Sequence, residues 1–181
     1  MNYIVEYNMW TSTTTNDGIV GRNDDSIGGS DVHFSYKSKD KVYHGMQPVQ
    51  VTNPINNKTL TIKAKFDTGA FSSSLDIRIA KLLGFRKELL DKCNKLKSIK
   101  IPKTTSIDDQ KKLADKYEKE LKKDFSEISK VKVIRSSSGF SIRIFVDLIL
   151  DFDGRSLLTT VNIRDRHGLQ SDMLIGLSDI L

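Results

Sequence analysis

The stretch LTIKAKFDTGA, residues 60–70, decides the fold of this chain. Apolar and polar side chains alternate from Leu60 to Phe66, which predicts a half-buried β-strand. The strand runs directly into Asp67-Thr68-Gly69. On its own this triplet indicates no more than a turn after a strand, because it occurs by chance in roughly one in thirty chains of this length. Its meaning therefore depends on the sequence around it.

A short helix is predicted soon after the triplet. A serine run at 72–74 comes first, and residues 76–84 then read DIRIAKLLG. Asp76 is a favourable N-cap for this helix, because a short side-chain oxygen can accept a hydrogen bond from the first turn. Gly84 suits the left-handed position that commonly ends a helix.

The middle of the chain predicts a helical insert over residues 86–130. Two helical patterns occupy 86–97 and 107–124, and Ser106 precedes the second with Asp109 in a capping-box arrangement. The insert carries most of the net positive charge of the chain. We therefore expect it to form a layer outside the β core with its charged side chains facing solvent.

Strand patterns enclose the insert on both sides. Before it, residues 42–51 read as a strand and residues 53–58, NPINNK, as a turn. After it, strands are predicted over 131–134, 142–150 and 157–163, separated by the turn residues Ser136-Ser137-Ser138-Gly139 and Asp153-Gly154. The chain closes on Met173-Leu174-Ile175-Gly176. This order predicts a mainly β fold with an α insert.

The first 35 residues have a different character. Residues 11–31 are rich in Thr, Ser, Asn, Asp and Gly and contain few aliphatic side chains. Such a segment cannot bury enough apolar surface to offset its ordering entropy. Residues 1–10 are more apolar and suit pairing with a sheet edge. We therefore predict a flexible arm over 1–35 and one domain over 36–181.

Charge and composition exclude some classes of partner. The chain has 181 residues and a net charge of +6, of which residues 86–130 contribute +5 from 14 basic and 9 acidic side chains. Such mixed charge is typical of solvated helices. A nucleic-acid surface has fewer acids and often interleaved aromatics, so the composition argues against a nucleic-acid partner.

Neither a membrane span nor a secretory signal is visible. No apolar run approaches the ~18 residues that a spanning helix needs, and residues 1–10 lack the basic start of a signal peptide. We expect a cytoplasmic protein without a membrane partner, or a virion protein if the chain is encoded by a phage. The single cysteine, Cys93, permits no intrachain disulfide and is expected to be a structural thiol.

Taken together, these motifs resemble the retropepsin-like aspartic proteases. The resemblance rests on the strand leading into Asp67-Thr68-Gly69, the helix at 76–84 and the later segment Leu174-Ile175-Gly176. It implies an acid-protease β-barrel with the helical insertion at 86–130. In that family the Asp-Thr-Gly loop forms the floor of a cleft, and the apolar-apolar-glycine segment packs behind it. The resemblance makes Asp67 the catalytic carboxylate, supported by Thr68 and Gly69.

A closer resemblance is to a family named as ATP-dependent zinc proteases. Its bacterial members are often encoded beside a RimK-type glutamate ligase, and others occur in tailed phages. The matching segments are 63–70, 136–139, 162–166 and 173–176. Phe71 departs from this pattern, because a polar or basic residue is more usual there. By resemblance, Ser136, Ser137, Ser138 and Gly139 form a flap that closes over a peptide substrate.

Only one carboxylate of the required pair is present in the chain. Acid–base cleavage of this type needs two close carboxylates that share a proton, so that one activates water while the other protonates the substrate. No second Asp-Thr-Gly or Asp-Ser-Gly exists. The second Asp67 must therefore come from another copy of the chain in a homodimer. The alternative is a non-catalytic assembly protein, for example of a phage particle, that uses the fold as a scaffold.

No cofactor is predicted. The histidines, His33, His44 and His167, form no metal-binding pair, and there is no cysteine cluster for zinc. The chain also has no glycine-rich phosphate loop with its lysine, so the sequence gives no support for ATP binding.

Overall fold

The structure is a computed structural model that describes residues 35–38, 41–136 and 139–180. The chain divides into two units, Met1–Gly45 and Met46–Leu181. Within the described residues, none of the helices has the length and apolar character needed to cross a membrane.

The described part of the first unit is a two-stranded sheet. Strands β1 (Ser35–Ser38) and β2 (Lys41–His44) pair antiparallel. Apart from Ser35, the predicted arm over 1–35 lies outside the described residues. Its flexible character stays a prediction.

The continuous strand predicted over 42–51 is wrong. Strand β2 ends at His44, and the next strand begins at Met46. Gly45 separates them with a φ of 34°, a backbone conformation that glycine adopts without steric cost. The apolar pattern on both sides of Gly45 therefore belongs to two strands.

The second unit is mainly β in its described residues. Its strands are β3 (Met46–Thr52), β4 (Thr59–Asp67), β5 (Ser74–Asp76), β6 (Ile128–Ser136), β7 (Gly139–Phe152), β8 (Arg155–Arg164) and β9 (Met173–Gly176). Its helices are α1 (Ile77–Leu82), α2 (Lys87–Lys97), α3 (Ile107–Leu121) and α4 (Leu177–Ile180).

The seven strands form one mixed sheet in the order β3-β4-β9-β5-β8-β7-β6. The pairs β4–β9 and β5–β8 are parallel, and the other neighbours are antiparallel. Strand β3 also pairs with β7, with Val51 opposite Leu150. The hydrogen-bonded neighbours β3, β4, β9, β5, β8 and β7 therefore form a closed circuit, and β6 lies outside it.

The turn residues of the sequence form the predicted turns. Between β3 and β4, the N–H of Asn57 donates to the carbonyl of Asn53 at 2.9 Å, and Asn57 has a φ of 57°. Between β7 and β8, Asp153 and Gly154 have φ values of 54° and 71°. Two consecutive left-handed residues are typical of a tight hairpin turn, whose twist matches that of the flanking strands.

Strand β7 is the centre of the core. Ile144, Val146 and Leu148 alternate along it and are fully buried, and Val146 lies opposite the buried Val161 on β8. The other face of β7 is covered as well, since Phe145 is 1% exposed. The sequence predicts a strand over 142–150, and the tertiary structure buries residues 141–146 of β7 on both faces.

Helix α1 begins and ends as the sequence predicts. The carboxylate of Asp76 accepts a hydrogen bond from the N–H of Arg78 at 2.7 Å. Gly84 follows the helix with a φ of 86°. Both features confirm the predicted cap residues.

The insert contains the two predicted helices, but they differ in burial. Ser106 caps α3 by accepting from the N–H of Asp109 at 3.1 Å, and most of α3 is exposed. Helix α2 instead buries Leu89, Leu90, Cys93 and Leu96. Because these side chains pack in the core, α2 is more than the outer layer that the charge pattern predicts.

Candidate active site

Asp67 is the last residue of β4 and begins a tight turn. Its Oδ1 accepts a hydrogen bond from the N–H of Gly69 at 2.8 Å, and its carbonyl accepts from the N–H of Ala70 at 3.3 Å. The side chain is half-buried. The turn therefore holds one carboxylate oxygen by a backbone donor and fixes the direction of the carboxyl group.

The C-terminal segment lies directly against this turn. Strand β9 runs parallel to β4 and pairs Gly176 with Asp67. The N–H of Leu177 donates to the carbonyl of Ala70 at 2.8 Å, and the N–H of Ser178 donates to that of Phe71 at 3.0 Å. These bonds confirm the expectation that the Leu-Ile-Gly segment packs behind the Asp67 loop.

Gly176 is the point of closest approach between the two segments. A Cβ atom at this position would lie 2.7 Å from the carbonyl carbon of Ser72 and 2.8 Å from the carbonyl oxygen of Phe71. Both are backbone atoms, so a side chain at position 176 would displace the loop. Glycine is required here for space, since its φ is not in the left-handed region.

A buried network fixes the far end of the same loop. The hydroxyl of Ser73 accepts from the N–H of Gly176 at 2.9 Å and donates to the carboxylate of Asp179. Thr159 donates to the other oxygen of Asp179 at 2.5 Å. The side-chain amide of Asn162 donates to the Ser73 carbonyl, also at 2.5 Å. The loop is therefore bonded both to α4 and to β8.

Asp76 ties the start of α1 to the segment that follows β8. Its side chain is fully buried and accepts from the Arg78 side chain at 2.8 Å and from the N–H of Arg166 at 2.8 Å. Burial alone would raise the pKa of Asp76, but the hydrogen bonds from Arg78 and Arg166 outweigh it and hold the pKa below its usual range. Asp76 is therefore charged at neutral pH and joins two segments.

Arg166 is a buried cation beside the site. Its Nη1 donates to the hydroxyl of Ser74 at 2.7 Å, and its Nε donates to the carbonyl of Ser171 at 3.0 Å. Burial lowers its pKa most strongly, with repulsion from Arg164 acting in the same direction. Attraction from Asp76 and Asp67 opposes that shift, so Arg166 lies within electrostatic range of the candidate carboxylate.

The predicted flap lies on a separate hairpin. Ser136 ends β6 opposite Gly139, and its hydroxyl donates to the Gly139 carbonyl at 3.1 Å. Ser137 and Ser138 lie outside the described residues. The structure thus unites Asp67, Thr68 and Gly69 in one turn, and it places Ser136 at the end of β6 and Gly139 at the start of β7.

Several residues around the turn are not singled out by the sequence. Ser73 lies in the serine run at 72–74, Asn162 in a predicted strand and Asp179 near the end of the chain, and no sequence pattern links these three segments. The one available signal is that Asn162 and Arg166 lie within a segment that matches the family resemblance. No group of three or more His, Cys, Asp or Glu side chains suited to a metal occurs among the described residues.

Comparison with solved structures gives only distant similarity. No protein-family model matches the chain, and no curated protein matches it. Among solved structures, the crystal structure of a protein of unknown function (DUF785) from Legionella pneumophila subsp. pneumophila str. Philadelphia 1 is similar over 74% of this chain and 82% of that chain. The sequence identity is 19% and the TM-score is 0.34. A similarity of this size assigns neither a fold nor a function to this chain.

Proposed function

We propose that this protein is an aspartic endopeptidase that acts as a homodimer, with Asp67 of each copy forming the catalytic pair. The observation that carries the proposal is the geometry of the Asp67 turn. The carboxylate ends a strand, its Oδ1 is held by the N–H of Gly69, and the segment after Gly176 bonds the loop from behind. This is the arrangement that the retropepsin resemblance implies for Asp-Thr-Gly and Leu-Ile-Gly.

The strand pairing supports a retropepsin-like barrel as the finer description of the fold. Six strands hydrogen bond in a closed circuit, which is the pairing that a barrel requires. Strand β9 lies between β4 and β5 in this circuit. The loop that follows Asp67 and connects β4 to β5 therefore spans β9. Strand β6 and the insert helices are then additions to the barrel.

The proposed chemistry uses two carboxylates and one water. Two Asp67 side chains held close cannot both ionise, so they share a proton. The ionised carboxylate takes a proton from the water as its oxygen attacks the peptide carbonyl, and the protonated one gives its proton to the carbonyl oxygen. The carboxyl group that took the proton from water then gives it to the leaving nitrogen as the C–N bond breaks. The other carboxylate takes a proton back from a hydroxyl of the intermediate, which restores the shared proton. Neither a metal nor a nucleotide takes part.

An exposed aromatic side chain beside the Asp67 turn supports the proposed dimer. Phe71 follows the catalytic loop directly and is 75% exposed, which is unusual for a large aromatic side chain. A two-fold axis near Asp67 would bring Phe71 of both copies to the same interface. In this arrangement Thr68 supplies a hydroxyl for the facing loop, and the turn at 136–139 closes over the peptide.

The test is the substitution Asp67→Asn. The amide oxygen can still accept from the N–H of Gly69, so the turn and the fold should be retained, but an amide cannot share the proton. Cleavage of a peptide library, read by mass spectrometry, should fall by about 10²–10⁴-fold. Asp91→Asn, at an exposed carboxylate on α2, is the matched control and should cleave normally. Undiminished cleavage by the Asp67 variant would refute the proposal.

The second candidate is a non-catalytic assembly protein. One observation favours it: a single chain supplies only one Asp67, so the chain alone lacks the catalytic pair. Sedimentation analysis separates the candidates. A dimer that cleaves peptides in an Asp67-dependent manner supports the peptidase. A monomer without activity, or a larger assembly in which Asp67→Asn changes nothing, supports the scaffold.

A further inference from the structure

Three arginine side chains, Arg143, Arg164 and Arg166, lie close to one another where β5, β7 and β8 meet. Arg143 projects from β7 and donates from Nη1 to the Oδ1 of Asn162 at 3.2 Å and from Nε to the hydroxyl of Ser141 at 2.9 Å. Both acceptors are neutral. Asn162 lies opposite Ser74 in the sheet, and Ser74 accepts from Arg166, so the hydrogen bonds join Arg143 and Arg166 in one network. Burial lowers the pKa of both arginines most strongly, and repulsion from Arg164 adds to each shift.

Neighbouring carboxylates compensate only part of this charge. Arg78 pairs with Asp76 at 2.8 Å and with Asp172 at 3.4 Å. The same two carboxylates attract Arg166, whose N–H also donates to Asp76. Asp67 also attracts Arg166, and Asp165 also attracts Arg78. The neighbouring carboxylates therefore act on Arg78 and Arg166, whereas Arg143 is influenced by burial and by the other two arginines.

Arg143 and Arg164 have no counter-ion of their own in the described part of the chain. Neither forms an ion pair within 4.0 Å there. Arg143 is 8% exposed, and burial lowers its pKa to about 10, so it is still charged at neutral pH. The Nε of Arg164 is buried and donates to no described group. A buried charge or donor without a partner is costly, and a ligand can supply the missing partner.

We propose that Arg143, Arg164 and Arg166 form a binding site for a phosphate-class dianion. Two uncompensated positive charges match one doubly charged phosphate group, whereas a single carboxylate would leave one of them unpaired. Guanidinium groups bind such oxygens through paired N–H donors. The hydroxyl of Ser74 and the amide of Asn162 hold two of the arginines in place around the site. The source is either free inorganic phosphate or a phosphorylated peptide side chain.

The main experiment titrates inorganic phosphate into the full chain and follows thermal unfolding and binding heat. At phosphate concentrations about tenfold above the Kd, the Tm should rise by about 3–6 °C. Arg164→Gln should weaken binding by about ten- to hundredfold, because it removes a charged donor. Arg143→Lys keeps the charge but loses the planar fork and should also weaken binding. This second variant keeps the test decisive if Arg164→Gln fails to fold.

The matched control is Arg135→Gln, at an exposed arginine on β6. Phosphate stabilises most proteins weakly by exclusion from their surface, so the difference between variants is the readout. A saturable response that Arg135→Gln keeps and Arg164→Gln loses supports the site. An equal response in all variants, or no saturation in the wild type, would overturn the proposal.

Peptides distinguish the two sources of phosphate. A phosphoserine peptide, the same peptide with serine and the same peptide with glutamate are compared by fluorescence anisotropy. Binding of the phosphopeptide alone, with displacement by inorganic phosphate, identifies a phosphorylated peptide. Binding of inorganic phosphate without any peptide binding identifies free phosphate. Arg164-dependent binding of the glutamate peptide that phosphate does not displace would refute the phosphate class.

A pH series adds a readout that a merely structural role of the arginines would not change. Phosphopeptide binding should weaken below about pH 6, where the phosphoryl group loses its second charge. Binding is measured without proteolysis, so this proposal and the proposed peptidase activity can fail separately.

Discussion

The close contact at Gly176 gives the sharpest test of the described site. In Gly176→Ala, the added methyl group would lie 2.7 Å from the Ser72 carbonyl carbon, 2.8 Å from the Phe71 oxygen and 2.9 Å from the Ala70 oxygen. All three are backbone atoms, so no rotation of a side chain relieves the overlap. Either the loop or β9 must move.

Movement at this point weakens several hydrogen bonds at once. The loop carbonyls accept from the N–H groups of Leu177 and Ser178, and the N–H of Gly176 donates to Ser73. Overpacking costs about 1–3 kcal/mol, and each weakened bond adds about 0.5–1.5 kcal/mol. We therefore expect Gly176→Ala to lower the free energy of unfolding by about 3–5 kcal/mol. For a chain of this size, that corresponds to a fall in Tm of roughly 6–20 °C.

The assay is urea unfolding followed by circular dichroism, with Gly69→Ala as the control from the same site. A Cβ at Gly69 would meet one atom, the Oδ1 of Asp67, at 3.1 Å. That atom ends a side chain and can rotate away, so the control should lose less than about 1 kcal/mol. Equal stability of Gly176→Ala and the wild type would show that β9 does not press on the Asp67 loop as described.

Three further predictions concern charged or reactive groups. Asp76→Asn should cost about 1–3 kcal/mol at pH 7, since it removes the charge that binds Arg78. The pKa of Asp76 is lowered in the folded state, so its contribution to the free energy of unfolding is complete above the unfolded pKa of about 3.9 and is lost as pH falls through the folded pKa. In melts over a pH series, the Tm of the variant should therefore fall less steeply with acid than that of the wild type. Burial raises the pKa of Cys93 to about 12. At pH 8 the native thiol should therefore react with a disulfide reagent on the order of 10³-fold more slowly than the thiol in urea. Equal rates would contradict the burial of Cys93. Glu127→Gln breaks a double contact with Arg86, which donates to each carboxylate oxygen at 2.6 Å. The loss of unfolding free energy should be about 1 kcal/mol, because Arg86 is half-exposed. High salt should reduce that loss, and a loss that does not depend on salt would argue against an ionic origin.

Local chemistry explains why much of the secondary structure could be predicted. The cap at Asp76, the left-handed Gly84 and the hairpin turn at Asp153-Gly154 depend on the residue itself and its near neighbours. The same holds for the alternation that predicts β4 and the apolar face of β7. Gly45 was missed as a break because a strand pattern continues on both of its sides, although its conformation separates β2 from β3.

The sequence by itself determined the strand that leads into Asp67, the later strands at 142–150 and 157–163, the turns beside them, and the caps of α1 and α3. These follow from side-chain periodicity and from backbone preferences that act over a few residues. The sequence could not determine which strands are neighbours, since pairing depends on contacts between distant segments. Only the tertiary structure inserts β9 between β4 and β5, which brings Gly176 against the Asp67 loop. The same pairing gathers Arg143 and Arg166 into one buried cluster, because β5 and β7 both flank β8.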